Sequence, residues 1–168
     1  MAIVAGAQGG LRAASRATIV QLRAPHLTAR EVERELTELV ASSPVPVLVS
    51  SRCDLAVACG AAGVNLPERD ISVRDARVLL GDRLIGRSVH SLEAAREAEH
   101  DGADFVIFGP IWSSVTHRDG EPVGIEALAA VVRAVRIPVL AIGGVTPERI
   151  AEILDSGAGG YAAITMFE

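Results

Sequence analysis

Ile137-Pro-Val-Leu-Ala-Ile-Gly-Gly-Val-Thr-Pro-Glu148 reads as the front half of one βα unit. Val139–Ile142 is a short, continuous apolar run, the pattern of a strand covered on both faces. Paired glycines then turn the chain. Thr146 followed by Pro147 places a cap and a preset φ at the head of a helix, and Gly157 and Gly159 close that helix before the next apolar run.

The same unit recurs along the whole chain. Further strand signals are Ala2–Val4, Thr18–Leu22, Val45–Ser50, Gly63–Leu66, Arg83–Ser88, Phe105–Phe108 and Tyr161–Thr165. Thr28 with Glu31, and Ser72 with Asp75, mark helix starts between them by the capping-box spacing. Eight apolar strands alternating with helices predict a parallel (β/α)8 TIM barrel rather than an open doubly wound sheet. No G-x-G-x-x-G follows the first strand, which counts against dinucleotide binding. No linker or compositional break interrupts residues 1–168, so one domain is expected. It is a short one, because barrels of this kind typically need roughly 200 residues or more. Eight strands but seven helices are counted, with the C-terminal helix missing after Met166-Phe-Glu168. The apolar outer face of the first and last strands is then expected to recruit a second copy, giving a homodimer.

Composition narrows the function classes. The 168 residues are 49% hydrophobic and 22% charged, with a formal net charge of −5. All 16 basic residues are arginines. The absence of lysine excludes Schiff-base aldol chemistry, pyridoxal phosphate anchoring and the P-loop lysine. A net-acidic chain without a basic cluster argues against nucleic acid as partner. No apolar run approaches the roughly 18 residues of a membrane span, and a cytoplasmic protein is expected. Cys53 and Cys59 fit no zinc or redox spacing and read as small core residues.

In a barrel, function sits at the carboxyl ends of the strands. The polar residues collected there are Gln21 and Arg23, Ser50 to Arg52, Asn65 to Asp70, Ser88 and His90, Gly109 to His117, and Gly143, Gly144 and Thr165. Gly143 and Gly144 let the backbone approach an anion closely, and Ile164 and Thr165 complete a candidate phosphate cradle after strand eight. The same glycines equally suit a bare tight turn. Residues 109–124 form the longest loop, with Ser114, Thr116 and His117 as its hydroxyls and titrating group. Ser91 is a natural helix cap, so His90 beside it has a turn-supporting alternative. Phe108 and Trp112 read as core or rim packing. Asp70 is a lone carboxylate and does not by itself make a metal site.

These residues bring a known family into view. Val20-Gln-Leu-Arg23, Gly86-Arg-Ser-Val-His-Ser91, Gly102-Ala-Asp-Phe-Val-Ile-Phe-Gly-Pro110 and Ile137-Pro-Val-Leu-Ala-Ile-Gly-Gly144 resemble, in this order, the thiamine phosphate synthase and TenI family. Arg52-Cys-Asp-Leu-Ala56 and Pro122-Val-Gly124 extend the resemblance over essentially the whole chain. It implies a (β/α)8 barrel that binds a thiazole phosphate. The synthase branch joins that molecule to a pyrimidine diphosphate, releasing pyrophosphate with Mg²⁺. The TenI branch isomerises the thiazole carboxylate phosphate to its aromatic tautomer without a cofactor.

The departures from the family pattern set the expectation between branches. Pro25 stands where the synthase pattern has lysine after strand two. Ser50-Ser51 replaces an Asn-Asp pair whose aspartate is a metal ligand, and Ser114-Val-Thr-His117 replaces T-x-T-K. Asp70, matching a second metal carboxylate, would count as a ligand only for a synthase. A departing diphosphate needs cations to neutralise it, whereas moving one proton needs a single group titrating near neutrality. The expectation is therefore a TenI-like tautomerase with His117 or His90 as its acid or base. Gln21, Arg23, Ser50, Ser51, Ser88, Ser114 and Thr116 would hold the substrate. The TenI branch carries its histidine where Pro110 stands, so its base has to come from elsewhere. A synthase and a non-catalytic thiazole-phosphate binder are the alternatives. A sugar-phosphate epimerase would need a pair of strand-end carboxylates, and only Asp70 stands out.

Overall fold

A computed structural model describes residues 1–113 and 121–167. Eight parallel strands lie side by side in chain order: β1 Ala2–Val4, β2 Val20–Leu22, β3 Val47–Ser50, β4 Gly63–Leu66, β5 Leu84–Val89, β6 Phe105–Phe108, β7 Val139–Ile142 and β8 Gly160–Ala162. The sheet closes on itself. The Ile3 N–H donates to the Ala163 carbonyl at 2.9 Å, and the Ala163 N–H to the Met1 carbonyl at 3.1 Å. Helices α1 Ala7–Ala13, α2 Ala29–Ser42, α3 Cys53–Ala58, α4 Val73–Leu80, α5 Leu92–His100, α6 Gly124–Ala134 and α7 Ile150–Asp155 follow the first seven strands. The (β/α)8 expectation is met. After β8 the described chain makes only a 3₁₀ turn, Thr165–Phe167, so the strand expected over Tyr161–Thr165 is shorter and starts one residue earlier.

Alternation along each strand sorts the side chains into two cores. Val20, Leu22, Val47, Val49, Val64, Leu66 and Ile85 point outward onto the helices and are essentially inaccessible. Each such side chain contributes about 1.5–3 kcal/mol relative to exposure. Met1, Ile3, Leu48, Phe105, Ile107 and Ala162 form a second cluster inside the barrel. Phe105 takes the space beside Gly86, where a Cβ would fall 2.2 Å from its ring. This pairing of a large residue with none fills the lower barrel and leaves the carboxyl ends open.

The predicted caps form, with one difference. Thr28 and Glu31 make a full capping box, and the Ser72 hydroxyl accepts from the Asp75 N–H at 3.0 Å. Thr146 makes no cap bond to the backbone. The segment after it begins as a 3₁₀ turn, Pro147–Arg149, and the Thr146 hydroxyl holds the Glu148 carboxyl below its ordinary pKa. Helix α1 has only Gly6 at its N-cap, and the cap comes from α2: the Glu35 carboxylate accepts from the Ala7 N–H at 2.9 Å. Cys53 is buried, whereas Cys59 is half-buried at the end of α3 and not a full core residue. Among the described residues no helix is long and apolar enough to cross a membrane.

Candidate active site

The carboxyl ends of the strands surround a cavity of about 190 Å³. Its wall has two unlike halves. Consecutive strands β2 to β5 contribute Gln21, Ser50, Asn65 and Ser88, whereas β6, β7, the segment after β8, and β1 contribute Ile107, Ile142, Ile164 and Ile3. The strand register sets this division: Ile3 lies opposite Gln21, Ser50 opposite Asn65 and Ser88 opposite Ile107, with a step of two residues between these pairs, since Gln21 lies opposite Leu48 and Asn65 opposite Gly86.

The polar half is internally paired but not satisfied. Gln21 Nε2 donates to Ser50 Oγ at 2.6 Å, and Asn65 Nδ2 donates to Ser88 Oγ at 3.0 Å. Gln21 and Asn65 are 1% and 4% exposed, and Gln21 Oε1 and Asn65 Oδ1 have no partner among the described residues. A buried acceptor left unpaired costs about 1–3 kcal/mol, so two in one wall point to a ligand that supplies donors. The sequence signal for Asn65 is a lone amide inside the buried run Gly63-Val-Asn-Leu66. It fell within the collected strand-end residues but carried no role of its own.

Charge gathers at the mouth. Arg23 lines the cavity with an exposed side chain and pairs with no carboxylate among the described residues. His90 Nδ1 bonds the Gly109 carbonyl, which must be an acceptor, so that nitrogen carries the proton. Its Nε2 faces Glu68 Oε2 at 3.7 Å. Glu68, on the loop after β4, is the second residue to which the sequence reading gave no role. The Arg87 guanidinium holds that loop from outside the barrel by donating to the carbonyls of Glu68 and Ile71.

Gly143 and Gly144 have φ of 95° and 64°, a left-handed pair that non-glycine residues adopt only under strain. A Cβ at Gly143 would lie 2.6 Å from that of Pro110. Among the described residues, no backbone carbonyl accepts from the N–H groups of this pair. Two free N–H groups on a glycine turn at the end of β7 form the kind of concavity that holds an anion.

Several expected site residues stand elsewhere. Ser51, Gly144, Thr165 and Asp70 are not part of the cavity wall. Asp70 turns its carboxylate onto the Ile71 N–H at 2.8 Å. Ser51 has φ 65° and is the only non-glycine residue with positive φ among the described residues. Ser114, Thr116 and His117 lie outside the described residues. Trp112, read as packing, is half-buried and carries the Arg149 guanidinium over its ring. Cys53 is no nucleophile: burial pushes its thiol pKa up, and the charges of Asp70 and Asp54 add to this.

The Mg²⁺ implied for a synthase would need carboxylate donors at the strand ends. No three His, Cys, Asp or Glu among the described residues come together. Ser50 is engaged by Gln21, Ser51 offers no carboxylate, and Asp70 is turned aside. These residues do not fit a magnesium site built from protein ligands.

Fold and site together define a (β/α)8 barrel with a two-sided cavity at the carboxyl ends of its strands. The sequence profile described as thiamine monophosphate synthase matches residues 7–167, and the chain belongs to the thiamine monophosphate synthase/TenI family. It is 38% identical to a thiamine-phosphate synthase of Chloroflexus aurantiacus, covering 89% of this chain and 71% of that protein. It is 42% identical to a putative thiamine-phosphate synthase of Geobacter sulfurreducens, covering 98% and 78%. The solved thiamine phosphate pyrophosphorylase of Pyrococcus furiosus superposes with a TM-score of 0.88 at 31% identity, over 98% of this chain and 84% of that one. A FabK structure from Thermotoga maritima superposes with a TM-score of 0.79 at 21% identity, a likeness of fold alone.

Proposed function

We propose that this chain is a thiamine-phosphate synthase. It would join a thiazole phosphate to an aminopyrimidine diphosphate by forming a bond between the thiazole nitrogen and the pyrimidine methylene carbon. The carbon–oxygen bond to the diphosphate breaks, and pyrophosphate leaves with the electron pair. The observation that carries this reading is the two-sided cavity. An aminopyrimidine edge presents an amino donor beside a ring-nitrogen acceptor. That edge complements the amides of Gln21 and Asn65, whose oxygens are otherwise orphaned. The aliphatic half, ending at Gly143, suits a thiazole ring whose phosphate reaches the glycine turn. A tautomerase binds one ring only and leaves the polar half without work.

The named relatives favour the same reading over the tautomerase expected from the missing lysines. With no lysine in the chain, Arg23 is the cation at the mouth that would meet the developing charge on the diphosphate, with the His90 imidazole beside it. Both rings held at van der Waals distance in one enclosed wall supply the proximity part of the rate enhancement.

The test incubates the protein with thiazole carboxylate phosphate, with and without hydroxymethylpyrimidine diphosphate, followed by phosphorus and proton NMR. Pyrophosphate release that requires both molecules is the expected result. Aromatisation of the thiazole without pyrophosphate would overturn it in favour of the tautomerase, and binding without turnover in favour of a non-catalytic binder.

A further inference from the structure

Arg149 follows the glycine turn by five residues and is not part of the wall of the strand-end cavity. Its position is nevertheless highly determined. Nη1 donates to the Gly144 carbonyl at 2.6 Å, and the guanidinium carbon lies 4.6 Å from the centre of the Trp112 ring. Trp112 closes the arrangement from the other side, its backbone N–H donating to the Gly143 carbonyl at 3.1 Å. Gly144 sits between the two. A Cβ there would fall 2.7 Å from Trp112 Cβ and 3.2 Å from Arg149 Nη1.

In a trans peptide the N–H points opposite the carbonyl. Fixing the Gly143 carbonyl on Trp112 therefore aims the Gly144 N–H the other way. Fixing the Gly144 carbonyl on Arg149 does the same for the Val145 N–H. Without these two anchors a Gly-Gly pair is the least restrained dipeptide a chain can contain. Holding it in one left-handed conformation before the ligand arrives removes an ordering cost from binding.

From this geometry we infer that Arg149 is a positioning residue for anion binding. Stacked on Trp112, it locks the Gly144–Val145 peptide plane next to the Gly143–Gly144 plane that the Trp112 N–H holds, so that the N–H groups of Gly144 and Val145 are turned to a phosphate. The inference rests on the phosphate-cradle part of the proposed function and names the residue that preorganises it. The Arg149 guanidinium itself is already committed to a carbonyl and a ring face.

Trp112 is the only tryptophan in the chain, so its fluorescence reports directly on this stack. The full-length protein is titrated with inorganic phosphate and with thiazole phosphate while Trp112 emission is followed. The wild type is expected to give a saturable change. Arg149→Ala should weaken both affinities by about tenfold, equivalent to about 1.4 kcal/mol. Arg149→Lys keeps a donor for Gly144 but loses the planar stack, and should fall between. In the synthase assay the KM for thiazole phosphate should rise about as much, with kcat and the KM for pyrimidine diphosphate little changed. Wild-type phosphate affinity in both variants would overturn the inference, as would an equal loss of affinity for the unphosphorylated thiazole alcohol. A wild type that binds no phosphate would overturn it together with the cradle. Phosphate binding that depends on Arg149 in a protein that releases no pyrophosphate would support the inference and overturn the synthase reading alone.

Discussion

Gln21→Met should make the empty protein slightly more stable and the working protein much worse. Gln21 is 1% exposed, with Oε1 unpaired and Nε2 bonded to Ser50 at 2.6 Å. Methionine has nearly the same length and fills the same space without an amide. The substitution removes one hydrogen bond, about 1 kcal/mol, and one orphaned acceptor, about 1–3 kcal/mol. Ser50 loses a donor but keeps its rotor and faces the open cavity, so it adds little. The balance runs from neutral to about 2 kcal/mol of stabilisation, or up to about 8 °C in Tm at this chain length. If the amide reads the aminopyrimidine edge, the pyrimidine diphosphate loses a paired contact, and its kcat/KM should fall by about 10²-fold with the thiazole-phosphate KM unmoved. Urea unfolding of the ligand-free protein gives the first number and steady-state kinetics the second. A variant destabilised by more than about 2 kcal/mol with unchanged pyrimidine kinetics would refute the reasoning, because the amide would then be structural.

Three further outcomes follow from single positions. Ser51→Gly relieves the left-handed φ of 65° and, after the extra unfolded-state freedom of glycine, should raise stability by about 0.5–1 kcal/mol in chemical denaturation. Gly86→Ala forces a Cβ to within 2.2 Å of the Phe105 ring at the barrel centre and should lower stability by about 3 kcal/mol; Phe105→Leu in the same background should restore much of it. Glu35→Gln weakens the cap on α1. The Ala7 N–H first, and Arg34 second, hold the Glu35 pKa below its ordinary value. Its stabilising contribution is therefore present above the unfolded pKa and lost as pH falls through the folded one. The variant should be about 0.5 kcal/mol less stable at neutral pH, and the difference should shrink as pH falls through the folded carboxyl's lowered pKa, by unfolding across that range.

The barrel was legible in the sequence because its signals are local. Gly63–Leu66, Phe105–Phe108 and Val139–Ile142 are apolar runs bounded by glycine, proline or acid, and the structure gives those strands with the same ends. The site was legible only as a list. Strand ends nominated Gln21, Ser50, Ser88, His90 and Gly143, but nothing local says that four polar residues fall on four adjacent strands while four isoleucines line the other side. That pattern exists only after closure, and with it comes the orphaning of Gln21 and Asn65. Arg149 was illegible for a related reason. Its partners are a ring 37 positions earlier and a carbonyl, and neither leaves a mark in residue type.

Ser51 bears on what the departures from the family pattern mean. The Asn-Asp pair expected after the third strand reads as a metal-binding feature, and its replacement by Ser50-Ser51 as a loss of metal chemistry. The backbone at 51 is left-handed, a conformation that asparagine and aspartate tolerate better than most residues. An aspartate at this position therefore answers a demand of the turn as well as any demand of a metal. Serine meets the turn at a cost in strain and gives up the carboxylate, while Ser50 beside it is recruited by Gln21 into the polar wall. The turn, the wall and the glycine cradle thus persist independently of the carboxylate. In the synthase proposed above, the substitution would remove a means of neutralising the diphosphate, and that demand would fall on Arg23 and His90 at the mouth of the same cavity.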